Sequence, residues 1–169
     1  MIPASILGGI SSSQTHTIAP VTPADLPDLL ALMRAYCDFY DARPSDQDLL
    51  ELAGRLISEP RLEGVQLIAR DARARAAGFA SVFWSWDTTV ASRIGIMNDL
   101  YVAPHARGSG LAERLIAACV QQCLQREASR LDWQTAPENL RAQAVYDRVG
   151  GVRGPWLSYS LPASAGDSS

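Results

Sequence analysis

The segment "DLYVAPHARGSGLAERLI", residues 99–116, joins a predicted strand to a predicted helix. Its first part is apolar and ends at Pro104, and its second part has the apolar spacing of a helix. Between the two lie Arg107, Gly108, Ser109 and Gly110. Glycine lets a ligand approach the backbone closely, and the first N–H groups of a helix have no partner within the helix. These free donors, at the positive end of the helix dipole, predict an anion site, most commonly one for phosphate.

The composition is that of one ordinary globular domain, with 169 residues of which 47% are hydrophobic and 20% charged. The net charge of −3 disfavours nucleic-acid binding, which usually requires a basic patch. All fifteen cationic residues are arginine. Without lysine the chain can form neither a GxxxxGK[ST] phosphate loop nor a Schiff base. No apolar run approaches the roughly 20 residues of a membrane span, so we expect neither a nucleic-acid nor a membrane partner.

The three cysteines, Cys37, Cys119 and Cys123, are an odd number without the spacing of a disulfide framework. This pattern favours a reducing, cytoplasmic location. Cys119 and Cys123 lie four residues apart on a predicted helix, but no nearby histidine or cysteine could complete a zinc site with them. We therefore interpret the pair as core residues and expect no metal site.

Hydrophobic periodicity and turn residues divide the chain into alternating strands and helices. Strands are predicted over 17–20, 65–70, 77–86, 93–102, 131–135 and 156–161, and helices over 22–40, 46–57, 110–126 and 138–149. Thr22 and Asp25 have the spacing of a capping box at the first helix. This order predicts a single α+β domain over residues 16–162, with a flexible leader over 1–15 and a flexible tail over 163–169.

Several interpretations of the glycine-containing turn compete. By itself, the segment indicates only a tight turn that glycine makes possible. A dinucleotide-binding fingerprint requires GxGxxG soon after the first strand and an acidic residue about 20 positions further on. Here the turn follows several strands, which excludes that fingerprint, and the missing lysine excludes a phosphate loop of the Walker type.

The segment "RGSGLA", residues 107–112, resembles the [QR]-x-x-G-x-[GA] motif of the GNAT superfamily of N-acetyltransferases, as does the preceding "LYVAP". A second segment, "LDWQTAPENLRAQAVYDRVGG", resembles the downstream strand and helix of that family, which carry N-x-x-A-x-x-x-Y. Asn139, Ala142 and Tyr146 occupy its defined positions and share one helix face. The specific part of the resemblance covers residues 99–146.

This resemblance implies a GNAT-like fold, with a mixed, twisted sheet of about six to seven strands flanked by four helices. It implies acetyl-CoA as co-substrate and no metal. The pyrophosphate would be bound by backbone N–H groups of six residues, Arg107, Gly108, Ser109, Gly110, Leu111 and Ala112. The pantetheine arm would lie beside the open edge of the strand over 94–102, against Leu100, Tyr101 and Val102, and Asn139 would hydrogen-bond it.

Catalytic roles follow from the same resemblance and from side-chain chemistry. Tyr146 is the candidate acid that protonates the leaving thiolate. Gln134 occupies the place where some family members carry a glutamate, and glutamine cannot accept a proton. Asp99 is therefore the candidate base, either directly or through water, and a water chain without a dedicated base remains an alternative. His105 titrates in a useful range but is interpreted as a surface residue in the turn.

The acceptor is expected to be a primary amine on a small cationic molecule or a basic peptide. Five carboxylates between residues 38 and 51 could attract it, or could merely form a solvated surface and cap a helix: Asp38, Asp41, Asp46, Asp48 and Glu51. Tyr40, Trp84 and Trp86 could supply an aromatic wall. Trp133 and Thr135 favour the subgroup that acetylates polyamines and basic proteins. The alternative to catalysis is a CoA-binding sensor or scaffold, and the sequence leaves a homodimer open.

Overall fold

The structure, a computed structural model, describes residues 16–163 of the chain. The expected leader over 1–15 and all but the first residue of the expected tail lie outside the described residues. The strands are β1 (Thr17–Pro20), β2 (Gly64–Arg70), β3 (Ala76–Asp87), β4 (Ser92–Val102) and β5 (Leu131–Asp132). The helices are α1 (Leu26–Phe39), α2 (Asp46–Ser58), α3 (Leu111–Gln125) and α4 (Leu140–Arg148). Two 3-10 turns, Pro23–Asp25 and Pro104–Ala106, precede α1 and follow β4.

The five described strands form one sheet in the order β1-β2-β3-β4-β5. The first four are antiparallel to their neighbours, and β5 runs parallel to β4. One core cluster packs α3 against the sheet, and a second packs α1 and α2 against the opposite face. The α+β class and the four helices are confirmed, whereas the expected six to seven strands exceed the five observed.

Local sequence accounts for where the first two helices begin. Asp25 accepts hydrogen bonds from the backbone N–H and the hydroxyl of Thr22, at 2.9 and 2.7 Å, which confirms the predicted capping box. Ser45 and Asp48 form a second capping box at α2.

Cys119 and Cys123 are buried on α3, and burial raises the pKa of their thiols to about 12 and about 11. Their interpretation as core residues is confirmed.

The predicted strand over 156–161 is wrong, and the predicted strand over 131–135 is shortened to two residues. Residues 156–161 have no regular secondary structure, and Trp156 is 89% exposed. Alternating apolar residues produce a strand only where a neighbouring backbone supplies hydrogen-bond partners. β5 offers little such backbone, since it leaves the sheet after Asp132.

β4 is the strand that organises the centre of the molecule. It pairs with β5 only at Gly95 and Ile96, so its remaining length has an open edge. The register with β3 places Asp99 opposite Ser81 but Met97 opposite Val82, which makes Asn98 an extra residue, a β-bulge. The bulge reverses which face of the sheet the side chains after it point to. Met97 therefore packs in the α3-side cluster, whereas Tyr101 packs in the α1-side cluster.

Among residues 16–163, no helix combines the length and the apolar character needed to cross a membrane.

Candidate active site

The turn between β4 and α3 has the conformation that its glycines allow. Gly108 and Gly110 adopt φ angles of 77° and 75°, in the left-handed region that other residues rarely enter. A Cβ atom at either position would meet nothing within 4 Å, so both glycines face open space. No side chain caps α3, and the first backbone N–H bonded back to the turn is that of Arg114, to Gly110. The earlier N–H groups of α3 are therefore available to a ligand.

A cavity of about 460 Å³ opens in front of this turn. The end of β4, the turn, the start of α3, α4 and the end of α1 all contribute to its wall. The lining includes ten of the residues predicted for the site: Leu100, Tyr101, Val102, Arg107, Gly108, Gly110, Leu111, Ala112, Asn139 and Tyr146. Two predicted residues, Ser109 and Asp99, are not in the lining. The hydroxyl of Ser109 instead donates to the carbonyl of Ala106 at 2.6 Å, which stabilises the turn.

The open edge of β4 presents backbone donors to this cavity. The N–H of Ala103 donates to the carbonyl of Ala77 on β3 at 2.9 Å. Because the direction of N–H groups alternates along a strand, those of Leu100 and Val102 point away from β3. They point to the side from which β5 has diverged, where an extended ligand with amide groups could pair with them.

α4 brings Asn139 and Tyr146 to the opposite wall. The Oδ1 atom of Asn139 caps the helix by accepting from the N–H of Ala142 at 3.2 Å, so its carbonyl oxygen has a structural role. The ring of Tyr146 packs edge-on against Trp133, with a centroid separation of 5.4 Å. Burial raises the pKa of the Tyr146 phenol, and the nearby Tyr40 adds to this, whereas a hydrogen bond with Thr135 lowers it.

Charge in the cavity is mainly positive. Three arginines line it, Arg107, Arg141 and Arg148, together with Glu113, which binds Arg148 at 2.6 Å. Arg107 also donates from Nε to the carbonyl of Val102 at 3.2 Å. Sequence reasoning missed Arg141 and Arg148. Their separation of seven residues, which places both on one face of α4, could have identified them.

The bulge turns Asp99 toward α1 and away from the open edge. The amide of Asn98 donates to its carboxylate at 3.4 Å, and Ser81 lies opposite it on β3. Burial raises the pKa of Asp99, and the neighbouring side chains of Ser81, Tyr36 and Asn98 act in the opposite direction. Tyr36, which was not among the residues predicted from the sequence, lines the cavity, whereas Asp99 does not. The spacing of Tyr36, Phe39 and Tyr40 on α1 is the signal that could have revealed it, since all three line the cavity.

Of the three residues expected to form an aromatic wall, only Tyr40 lines the cavity. Trp84 is wrong as a wall residue, because it lies opposite Gly95, far along β4 from the turn, and its indole N–H donates to the carbonyl of Pro60 at 2.9 Å. Trp86 is exposed at the end of the same hairpin, where the guanidinium of Arg93 lies 5.1 Å from its ring centroid.

None of the five carboxylates expected to attract the acceptor lines the cavity. Arg43 binds both Asp38 and Asp41, at 3.2 and 2.8 Å. Asp46 binds Arg34, Asp48 caps α2 with Ser45, and Glu51 pairs with Arg55. Arginines pair with four of the five carboxylates and Asp48 caps α2, so the segment matches the alternative interpretation, a solvated, helix-capping surface.

The remaining candidates lie outside the cavity. His105 is exposed in the 3-10 turn, as expected for a surface residue. Gln134 is exposed two residues beyond β5. Within residues 16–163, no group of three or more histidine, cysteine, aspartate and glutamate side chains could hold a metal ion.

Known proteins resemble this chain in both sequence and fold. Residues 29–151 match the model of the acetyltransferase (GNAT) family. The chain is 33% identical over 129 residues to an uncharacterized N-acetyltransferase, YhfO, of Bacillus subtilis, an alignment covering 75% of this chain and 83% of that protein. The fold matches the crystal structure of a probable acetyltransferase with a TM-score of 0.78 and 27% identity, covering 88% of this chain and 98% of the other. It also matches aminoglycoside N-acetyltransferase AAC(6')-Iy in complex with CoA, with a TM-score of 0.77 and 20% identity, covering 92% and 99% of the two chains.

Proposed function

The chain belongs to the acetyltransferase (GNAT) family, and on that premise we propose that it transfers an acetyl group from acetyl-CoA to a primary amine by direct attack in a ternary complex. One observation carries this proposal. A single cavity is lined by the glycine-containing turn, the open edge of β4 and Tyr146. These are the anion-binding, thioester-aligning and proton-donating elements that acetyl transfer requires, and they face one another.

Acetyl-CoA would bind along the backbone of the turn and of β4. The free N–H groups at the start of α3 and the guanidinium of Arg107 would bind the pyrophosphate. Arg141 and Arg148 would add positive charge beside the remaining phosphate group of acetyl-CoA, the one outside the pyrophosphate. The amides of pantetheine would pair with the N–H groups of Leu100 and Val102. Either N–H, aimed at the thioester oxygen, would also stabilise negative charge as it develops there.

Two proton transfers accompany the attack of the amine on the thioester carbon. The departing thiolate would take a proton from Tyr146, a transfer that is uphill because a phenol ordinarily titrates near 10 and a thiol near 8.5. Burial raises the pKa of Tyr146 further, so the transfer depends on close positioning of the two groups. The amine would lose its proton to Asp99 or to water. Burial raises the pKa of Asp99, which makes it a stronger base than an exposed aspartate.

The acceptor would enter beside the aromatic residues of α1. Tyr36, Phe39 and Tyr40 line the cavity, and aromatic rings attract an ammonium group. A small cationic amine or the amine of a basic peptide fits this wall. Among the described lining residues, Glu113 is the only acidic one, and it is paired with Arg148. The aromatic rings would therefore bind the cationic acceptor without the help of an unpaired carboxylate.

The deciding experiment measures release of the CoA thiol from acetyl-CoA with a panel of small mono-, di- and polyamines, aminoglycosides and basic peptides. We expect amine-dependent release with at least one acceptor and an N-acetylated product of matching mass. Calorimetric binding of acetyl-CoA without turnover across the panel would instead identify the alternative, a CoA-binding sensor. Failure to bind acetyl-CoA would contradict both.

A further inference from the structure

Tyr36 separates the candidate base from the cavity in which the amine would react. Tyr36 lines the cavity, whereas Asp99 does not. The Tyr36 ring packs on Tyr101, which shares a face of β4 with Asp99, and Tyr36 and Asp99 shift each other's pKa across the interface between α1 and β4. A proton leaving an amine in the cavity would therefore meet Tyr36 before it could meet Asp99.

A buried polar chain holds the far side of this pair in place. The amide of Gln66 donates to the hydroxyl of Ser81 at 3.1 Å, and the two residues are 2% and 0% exposed. Since the Ser81 oxygen accepts from Gln66, its proton is free to be donated to Asp99, with which it interacts. Buried polar groups are costly unless they are paired, yet the Oε1 atom of Gln66 has no partner among the described residues. The fold thus retains polar groups behind Asp99 where apolar ones would pack more easily.

Packing also fixes the Tyr36 ring. It makes edge-on contacts with Tyr40, Phe79 and Tyr101, at centroid separations of 5.0, 5.7 and 6.3 Å. A ring held on three sides keeps its hydroxyl in one place. Such preorganisation is a requirement for proton transfer at a catalytic site.

Resting on the proposed function, we infer that Tyr36 is a catalytic residue that takes the proton of the attacking amine while passing its own proton to Asp99. The bond between the amine nitrogen and the acetyl carbon forms, and the bond between that carbon and the CoA sulfur breaks. The amine proton moves to the Tyr36 oxygen, the Tyr36 proton moves to an Asp99 oxygen, and the thiolate takes its proton from Tyr146. Return of the Asp99 proton through Tyr36 to solvent, and protonation of Tyr146 from solvent, restore the enzyme.

The electrostatics require the two residues to act together. Burial raises the pKa of Tyr36 far above its ordinary value, and the neighbouring charge of Asp99 raises it further. A free Tyr36 phenolate is therefore inaccessible, and Tyr36 alone cannot serve as the base. If Tyr36 gives its proton to Asp99 at the moment when it receives the amine proton, no phenolate forms. The carboxylate of Asp99 is then the group whose charge changes.

The test compares Tyr36→Phe, Asp99→Asn and the double variant, using acetyl-CoA and the best amine from the panel. We expect Tyr36→Phe and Asp99→Asn each to lower kcat by about 10²-fold or more, as the loss of a proton acceptor does. The KM for acetyl-CoA and the thermal stabilisation by acetyl-CoA should stay within about twofold of wild type, because neither residue belongs to the turn. The double variant should be no slower than the slower single variant, since both act on one proton. Tyr159→Phe, an exposed tyrosine outside the cavity, is the matched control and should keep full activity.

A kcat for Tyr36→Phe within about threefold of wild type would overturn the inference and leave acetyl transfer standing, as would additive losses in the double variant. If Tyr36 had a purely structural role, Tyr36→Phe would lower thermal stability, but its loss of kcat would add to that of Asp99→Asn in the double variant. If Tyr36→Phe does not fold, Asp99→Asn decides, and full activity of that variant overturns the relay. A wild-type protein that binds acetyl-CoA but acetylates no amine would overturn both the proposed function and the inference.

Discussion

Residues 107–110 and the aromatic end of α1 line the same cavity, but they contribute to it in different ways. The turn offers backbone N–H groups, and its two glycines have positive φ angles and no side chain that could obstruct a ligand. The aromatic end of α1, formed by Tyr36, Phe39 and Tyr40, offers only side chains. The first region is continuous in sequence, whereas the second lies beside Asp99, about sixty residues away on β4.

Under the proposed function, this contrast predicts how the two substrates would be recognised. A pyrophosphate is the same in every molecule of acetyl-CoA, so a rigid backbone surface suffices for it. Acceptors differ in size and charge, and side chains on a helix can change to suit them without disturbing the sheet. Mutations in the turn should therefore affect binding of acetyl-CoA, and mutations around α1 and Tyr146 should affect turnover.

The largest effect is expected from Gly110→Asp, which adds a carboxylate where the pyrophosphate would lie. Acetyl-CoA at about 100 times its dissociation constant should stabilise the wild-type protein by about 2.7 kcal/mol, and this variant should lose that stabilisation. Gly110→Ala is the matched control, because its Cβ meets nothing within 4 Å and only the left-handed φ is unfavourable, by about 1 kcal/mol. Thermal unfolding with and without acetyl-CoA measures both. A folded Gly110→Asp protein with undiminished stabilisation would place the acetyl-CoA site elsewhere.

Tyr146→Phe should lower kcat by about 10²-fold and leave the affinity for acetyl-CoA within a few-fold. The pKa of this phenol is raised above its ordinary value near 10, so the acid form persists between about pH 6 and pH 9. Activity that depends on the acid form is lost only as pH rises through that raised pKa. The ratio of wild-type to variant kcat should consequently be constant over this interval. Unchanged turnover in the variant would make Tyr146 a packing partner of Trp133 and nothing more.

The smallest effect is expected from the double substitution Asp38→Asn and Asp41→Asn. Both carboxylates are exposed and already bound by Arg43, and exposed ion pairs contribute about 0–1 kcal/mol. The KM for the best amine should stay within about twofold of wild type at low and at high salt. A KM that rises severalfold at low salt, and recovers at high salt, would show that these aspartates attract the acceptor after all.

The elements of the fold could be predicted where local rules suffice. The capping box at Thr22 and Asp25, the strand at Thr17–Pro20 and the glycine-containing turn before α3 depend on residues within a few positions of one another. The strand over 156–161 could not be predicted in this way, because alternation of apolar residues does not reveal whether another strand lies beside it. The sequence left two interpretations of the acidic segment open for a related reason: net charge in a window omits Arg34 and Arg55, which lie just outside it.

The sequence by itself predicted the residues proposed for the cofactor side of the site, since the glycines, Arg107, Asn139 and Tyr146 lie in short motifs, and the structure places them around one cavity. Only the tertiary structure brought Tyr36 and Asp99 together. That contact depends on a β-bulge at Asn98, which shifts the alternation of β4 by one residue and turns Asp99 toward α1. No local pattern encodes the bulge, because it arises from the pairing of two strands whose register is set by the packing of the whole sheet.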